Sequence, residues 1–271
     1  MEKEQLIPII KEIKNDVSRY FIKEGTPYII MEGYESYGDI ITLFAKQTNL
    51  LESLLLLLEY NHTEEAYVLF RSQINNYMVI VYLLGDDQYK SRFKQYNLQP
   101  MKNVLKLLYD VKKGIKEGTV NEDIGKDLDK KIKKWELILK ENGCVKQKNG
   151  YDTRPISIAK MAWKNPYCLG LYLTYYRNGC IYEHSDSSSL DIYREKISED
   201  LSNRFVFKMN LSLSSTEKEK DILNISTQIY CNTFIEITKK MSANKNLEVL
   251  LEKQKLAEII LKIESVLKKM E

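Results

Sequence analysis

The segment from Thr63 to Leu84 constrains the fold more than any other part of the chain. Its apolar residues fall on nearly every side of a helix instead of forming one stripe. Such a helix is stable only where neighbouring elements cover it on all sides, so we expect it at the centre of the molecule. Gly85 follows its last apolar residue and is the expected end of the helix.

The rest of the sequence predicts further helices around this central one. Only 5 Pro and 11 Gly interrupt the 271 residues, and apolar residues recur with helical spacing over most of the chain. The helix before the central one is expected to begin at Asp39, and Asn61 with Glu64 forms the predicted capping pair of the central helix. We predict an all-α, multi-helix bundle of about eight to ten helices. The predicted helices outside the centre lie at about 4–23, 39–60, 86–116 (one or two), 121–141, 157–164, 167–183, 216–241 and 246–269.

One stretch departs from the helical pattern. Between Phe205 and Leu213, a large apolar residue occupies every second position, and Val206, Lys208, Asn210 and Ser212 lie between them. A repeat of two residues is the spacing of a strand. The sequence therefore predicts a short strand or hairpin near 204–213, although it identifies no partner strand. No segment has the composition of a flexible linker, so residues 1–271 are predicted to form a single helical domain. Within it, a charged helical excursion is expected at about 118–148.

Composition excludes several classes of protein. The 41 basic and 38 acidic residues give a net charge of +3, far from the excess of a strongly basic nucleic-acid binder. The chain has four cysteines without a CxxC pair and only two histidines, so we expect no metal and no cofactor. Scattered cysteines, and a charged N-terminus leading into an amphipathic helix, predict a cytoplasmic protein. The apolar run Leu50–Leu58 contains Glu52 and is too short to span a bilayer, so we expect it to belong to a buried core helix and expect no membrane association.

Polar residues interrupt the otherwise apolar central helix at Arg71, Gln73, Asn75 and Asn76. Arginine is rare in this chain, because 34 of the 41 basic residues are lysines. A buried guanidinium is costly unless it is paired, so Arg71 should contact an anionic or carbonyl group or line a polar cavity. A purely structural bridge to another helix is the alternative interpretation.

A second polar group lies in the helix predicted at 167–183. Arg177 and His184 are seven residues apart, so they would project from one helical face, roughly 10 Å apart. A histidine that moves a proton and an arginine that stabilises developing charge can cleave a phosphodiester. No metal is required when a ribose 2′-OH is the nucleophile, which points to RNA. Gly179, between them, either allows close approach of another element or bends the helix.

Tyrosines are dense around this group, with Tyr167, Tyr172, Tyr175, Tyr176 and Tyr182 in one predicted helix. Packing accounts for most such tyrosines, and stacking against a nucleic-acid base is the alternative.

Two segments together resemble DUF5677, a bacterial and phage family named as a domain of unknown function. The first is Ala66–Asn75, which matches an Arg-Ser-x-x-Glu signature with Asn75 in place of Glu. The second is Tyr176–Ser185, which matches a Tyr, Ser and His pattern with Cys180 in place of Ser. The resemblance extends over about Ser53 to Tyr193.

A wider similarity is to the HEPN-type helical ribonucleases of toxin and phage-defence systems. Their signature is an Arg, then a polar residue, then a His a few positions later, which Arg177, Asn178 and His184 resemble. This resemblance implies a metal-independent, dimeric ribonuclease in prokaryotic defence or toxin-type growth control, with its site at the dimer interface. The partners it implies are RNA, a second copy of the chain, and a protein partner or antitoxin. The implied site has Arg177, His184 and Asn178 as catalytic residues and Arg71, Tyr176 and Asn75 as supporting residues.

A non-catalytic helical interaction or sensor module is the competing interpretation. In that case Arg71 and His184 belong to a buried polar network that fixes helix register, and the charged segment Asn121–Glu141 is the partner surface.

Overall fold

A computed structural model describes residues 2–30, 32–86, 91–144, 146–147, 150–154, 156–183, 194–199, 205–209, 216–248 and 250–270. The predicted all-α, multi-helix fold is confirmed. The helices are α1 (Lys3–Phe21), α2 (Glu35–Glu59), α3 (Thr63–Leu84), α4 (Ser91–Asn97), α5 (Gln99–Lys116), a 3₁₀ turn (Glu122–Gly125), α6 (Leu128–Glu141), α7 (Ile158–Ala162), α8 (Pro166–Leu171), a π-helical segment (Tyr172–Tyr176), α9 (Arg177–Glu183), α10 (Thr216–Ser242), α11 (Lys245–Glu248) and α12 (Lys253–Met270). The strands are β1 (Lys146–Gln147), β2 (Gly150–Tyr151), β3 (Arg194–Glu199) and β4 (Phe205–Met209).

The chain forms two compact units. The first contains Met1–Gly85 and Met161–Glu271, and the second contains Asp86–Lys160. The charged excursion expected at about 118–148 lies within the second unit. The single-domain organisation stays a prediction.

The central position of α3 in the first unit is confirmed, as are its predicted bounds. It packs against α2 on one side, α10 on another and α9 on a third. Phe70, Ile74 and Ile80 are fully buried by these neighbours. Because three helices cover it, α3 can carry apolar residues on most of its surface without exposing them.

The ends of the helices depart from the sequence predictions in several places. Helix α2 begins at Glu35, before Asp39, so the predicted cap at Asp39 is wrong. Asn61 does not cap α3; it adopts a left-handed φ of 62°, and its Oδ1 accepts a hydrogen bond from Lys3 Nζ at 2.7 Å. Asparagine tolerates this conformation, which reverses the chain between α2 and α3. The helix predicted at 246–269 is divided into α11 and α12.

A buried carboxylate joins three helices at one end of the first unit. Glu219, in the first turn of α10, accepts a hydrogen bond from Thr63 Oγ1 at 2.7 Å. Its other oxygen lies 3.0 Å from Lys3 Nζ, in the first turn of α1. The negative charge also lies beside the N-terminus of α3, where the helix dipole favours it. These contacts fix the starts of α1, α3 and α10 relative to one another.

The predicted strand near 204–213 corresponds to β4. It pairs antiparallel with β3, and the pairing runs from Arg194 opposite Met209 to Glu199 opposite Phe205. The partner strand could not be predicted, because β3 reads Arg-Glu-Lys-Ile-Ser-Glu and lacks an alternating apolar pattern. The parts of the prediction at 204 and 210–213 lie outside the described residues.

Among the described residues, α2 is the one helix long and apolar enough to cross a membrane by length and composition. It packs against α3 and α10, and Phe44, Leu51 and Leu55 are fully buried. A core helix passes the same test of length and composition. The prediction that the run Leu50–Leu58 belongs to the core agrees with this packing.

The second unit has its own small core. Helices α5 and α6 pack together around Leu105, Ile132 and Leu139, which are buried. Tyr109 donates a hydrogen bond to Glu136 Oε1 at 2.7 Å, and burial together with this carboxylate raises the pKa of Tyr109 to about 12. A core of this kind explains how so charged a segment forms stable helices.

Candidate functional site

The helix that carries Arg177 contains an irregularity that helical periodicity does not predict. Residues Pro166–Glu183 form one continuous rod in which Tyr172–Tyr176 are π-helical. The N–H of Arg177 donates to the carbonyl oxygen of Tyr172, five residues earlier. Such a turn holds one more residue than an α-helical turn, so it rotates everything after it by about 100°. The faces presented by α8 and α9 therefore do not follow from one α-helical spacing.

Arg71 and Tyr176 are in direct contact across the interface between α3 and this helix. Arg71 Nη2 donates to the Tyr176 hydroxyl at 3.2 Å, and the guanidinium carbon lies 4.4 Å from the centre of the ring. The ring of Tyr172 stacks on the ring of Tyr176, with 5.4 Å between the ring centres. A guanidinium over a phenol ring gains both a hydrogen bond and a cation–π contact. Arg71 is half-buried and has a partner on another helix, but this partner is a neutral phenol and not the anionic or carbonyl group expected from the sequence.

Gly179 allows the two helices to come this close. A Cβ at this position would lie 2.9 Å from Arg71 Cβ and 3.0 Å from Arg71 Cδ. Real side chains do not approach so closely, so only glycine fits here without a shift of α9 away from α3. Of the two roles that the sequence left open for Gly179, the structure shows the close approach.

Arg177 and Asn178 lie on the exposed side of the same helix. Asn178 Nδ2 donates to the carbonyl oxygen of Thr174 at 2.7 Å. Asn75 lies on α3, one turn after Arg71, and its buried Oδ1 has no hydrogen-bond partner within the described part of the chain. The structure thus brings Arg71 and Tyr176 together and places Arg177 and Asn178 toward solvent. His184, the remaining candidate, lies outside the described residues.

A half-open cleft lies beside Asn178, between α3, the Arg177 helix and α10. Its volume is about 370 Å³. Phe70 lies in its floor, with the rings of Tyr67 and Tyr175 packed edge-on against it at 5.7 Å and 5.6 Å. Burial, and to a lesser degree the nearby charge of Asp221, raises the pKa of Tyr175, so its hydroxyl stays protonated. The lining residues are Tyr67, Phe70, Thr174, Tyr175, Asn178, Lys218, Asp221 and Ile222.

Comparison with protein families assigns the chain. A family model described as "Family of unknown function (DUF5677)" matches residues 40–202, more than half of the sequence. The chain belongs to the DUF5677 family. The match confirms the resemblance carried by Ala66–Asn75 and Tyr176–Ser185, and it extends beyond the limits expected from those two segments. No curated protein and no solved structure gives a significant match.

The DUF5677 match includes both sides of the Arg71–Tyr176 contact, whereas α10 lies beyond it. Lys218 and Asp221 could not be predicted from the sequence as residues of the cleft. Charged residues are common near the start of a helix, and their presence there does not indicate a cleft. Only the packing of α10 against α3 brings them to Tyr67 and Tyr175. Within the described residues, no three His, Cys, Asp or Glu side chains are grouped so that they could hold a metal ion.

Proposed function

We propose that this DUF5677 protein is a metal-independent, HEPN-like ribonuclease of the cytoplasm, active in prokaryotic defence or toxin-type growth control. The observation that carries the proposal is the exposure of Arg177 and of its neighbour Asn178, which lines a cleft, on a helix that Arg71 contacts from α3. A polar pair that served only to fix helix register inside the core would be buried, whereas a pair that meets a phosphodiester must be reachable from solvent. The resemblance to HEPN ribonucleases supplies the reaction class.

The chemistry follows from the two residue types. The ribose 2′-oxygen attacks the phosphorus and loses its proton, and the bond from phosphorus to the 5′-oxygen breaks. His184 accepts the proton that the 2′-oxygen loses, water supplies the proton of the departing 5′-oxygen, and Arg177 binds the phosphate oxygens and stabilises their added negative charge. The products are a 2′,3′-cyclic phosphate and a 5′-hydroxyl. Asn178 and Tyr176 orient the pair, while Arg71 and Asn75 support the helix from α3.

The decisive experiment incubates total RNA with the full chain in the presence of EDTA. We expect cleavage by the wild type and a loss of about a hundredfold or more in His184→Ala, the usual contribution of a positioned acid or base. Arg177→Ala should lose activity comparably. His62→Ala, at the other histidine, and Arg154→Ala, at an exposed arginine of the second unit, are the matched controls. Full cleavage by both His184→Ala and Arg177→Ala would refute the proposal.

The proposal also includes a homodimer, because HEPN-type sites lie between two copies, and it allows a protein antitoxin as a further partner. Light scattering of the pure protein should give twice the chain mass of 31.9 kDa. If the protein is a monomer and still cleaves RNA, the dimeric site is wrong, whereas the proposed reaction stands.

A non-catalytic interaction or sensor module is the second candidate, and the Arg71–Tyr176 contact favours it. That contact, with Gly179 beside it, fixes the register of two helices without any need for chemistry. On this view Tyr176→Phe lowers the free energy of unfolding by about 0.5–1.5 kcal/mol, the value of one hydrogen bond. Neither the wild type nor any variant then cleaves RNA. The exposed lysines of α6, such as Lys130 and Lys134, would then form the partner surface.

A further inference from the structure

The cleft between α3, the Arg177 helix and α10 combines aromatic rings with an exposed carboxylate, and the proposed reaction does not use this combination. We propose that the cleft is a binding subsite for the base of a guanine nucleotide. The placement of that nucleotide within an RNA substrate rests on the proposed function, whereas the binding of the nucleotide itself does not.

The aromatic part of the cleft suits a flat, partly apolar ligand. Phe70 is fully buried and closes the floor, while Tyr67 and Tyr175 are half-buried and reach the cleft beside it. A base that packs on a tyrosine ring gains about 1–3 kcal/mol, whatever the base. The volume of about 370 Å³ is in the range of small-molecule sites, which begins near 300 Å³. Stacking therefore accounts for binding but does not select among the four bases.

The carboxylate supplies the selection. Asp221 is exposed at the cleft, and an ionised carboxylate offers two acceptor oxygens side by side. Guanine presents two adjacent donors, N1–H and the N2 amino group, so it can bond both oxygens at once. Adenine and cytosine each place an acceptor next to their amino group, and uracil places its single N–H between two carbonyls. Each of these bases therefore leaves one carboxylate oxygen facing an acceptor.

The remaining residues of the cleft favour a nucleotide, which has a phosphate, over a free base as the ligand. Lys218 is one helical turn before Asp221, so both project from the same side of α10, and its positive charge suits a phosphate. Thr174 and Asn178 line the opposite side and belong to the helix of Arg177. A nucleotide in the cleft therefore lies beside the helical turn that carries the proposed catalytic arginine.

Direct binding of mononucleotides tests the subsite. The probes are 5′-GMP, 5′-AMP, 5′-CMP and 5′-UMP, titrated into the full chain and followed by NMR or calorimetry. We expect GMP to bind about tenfold more tightly than the other three, since one additional hydrogen bond to a charged group has roughly that effect. Asp221→Asn should weaken GMP binding by about tenfold and remove the preference. Asp110→Asn, at an exposed aspartate of α5, is the matched control and should behave as the wild type.

Several outcomes would overturn the subsite: equal binding of all four nucleotides, binding of none, or unchanged GMP affinity in Asp221→Asn. The circular dichroism spectrum of Asp221→Asn should match that of the wild type, because an exposed carboxylate is not needed for folding. A loss of GMP binding then results from the change in the cleft. GMP binding that depends on Asp221, in a protein that cleaves no RNA, would keep the subsite and reject the ribonuclease. RNA cleavage without GMP binding would do the reverse.

Discussion

A single hydrogen atom in place of a side chain decides how α3 and α9 meet. Gly179 lies against the aliphatic part of Arg71, whose guanidinium then reaches the ring and hydroxyl of Tyr176. The Cβ of Arg71 belongs to the rigid start of its side chain, so it cannot swing away as the guanidinium could. At the scale of residues, the candidate site therefore depends on a close approach as much as on its charged groups.

Gly179→Ala should destabilise the protein by about 1 kcal/mol. Overpacking costs about 1–3 kcal/mol, and the better helix propensity of alanine returns up to about 1 kcal/mol. Gly170→Ala, in the same helical rod but with nothing within 4 Å of the added carbon, should stabilise by about 0.5–1 kcal/mol. Urea denaturation of both variants measures the difference. Equal stabilisation by the two substitutions would contradict the close approach.

Helices α2, α3 and α10 are joined by polar side chains inside the core as well as by apolar packing. Asn76 Nδ2 on α3 donates to the carbonyl oxygen of Leu43 at 2.9 Å and to Gln47 Oε1 at 2.7 Å. Gln73 Nε2 donates to the carbonyl oxygen of Ser226 on α10 at 3.2 Å. Each of these bonds forms in one register only, because a shift would leave its donor and acceptor without a partner in the core. The amides are not fully satisfied even so, since Gln47 Nε2 and Gln73 Oε1 have no partner among the described residues. At the scale of elements, these bonds set how the three helices align.

Asn76→Ala should lower the free energy of unfolding by about 2–3 kcal/mol. The substitution removes both hydrogen bonds and strands Gln47, which is fully buried, at the cost of an unsatisfied polar group. Asn103→Ala, at an exposed position of α5, changes the same residue type in a helix and should instead gain up to about 0.7 kcal/mol. Chemical denaturation compares the two. A loss no larger than 0.5 kcal/mol, roughly the smallest value for one hydrogen bond, would show that these amides do not set the register.

The core of the first unit holds several groups that lose a proton only in alkaline solution. Burial raises the pKa of the Cys168 and Cys231 thiols to about 12, and it also raises the pKa of Tyr77 and Tyr230. In the unfolded chain, thiols lose their protons near pH 9.0 and phenols near pH 10.0. Above these values the folded state binds more protons than the unfolded state, so stability falls as the pH rises.

The free energy of unfolding should therefore be insensitive to these groups below about pH 8 and should decrease steadily between about pH 9 and 12. Each group contributes a slope of at most about 1.4 kcal/mol per pH unit. The double variant Cys168→Ala/Cys231→Ala should show a shallower decrease than the wild type. Denaturation midpoints across this pH range measure the slopes, and identical slopes would contradict the assignment to the thiols.

Much of the fold could be predicted from the sequence because helical periodicity records burial. The limits of α3, its central position, strand β4 and membership of the DUF5677 family all follow from residues close together in the chain. Predictions that depended on the ends of elements were less successful. The expected cap at Asp39 fails because α2 already begins at Glu35. The expected cap at Asn61 fails because this residue forms a left-handed turn and bonds Lys3, far away in sequence.

The candidate site divides in the same way. The sequence alone singled out Arg71 and Arg177 as candidates, because arginine is rare in this chain, and the family resemblance added Tyr176 and Asn178. The tertiary structure decided that Arg71 meets Tyr176, 105 residues away, and that Asp221 of α10 joins the cleft beside Asn178. It also introduced the π-helical turn that sets the face on which Arg177 lies. Periodicity describes the burial of one helix, whereas these contacts depend on how separate helices cross.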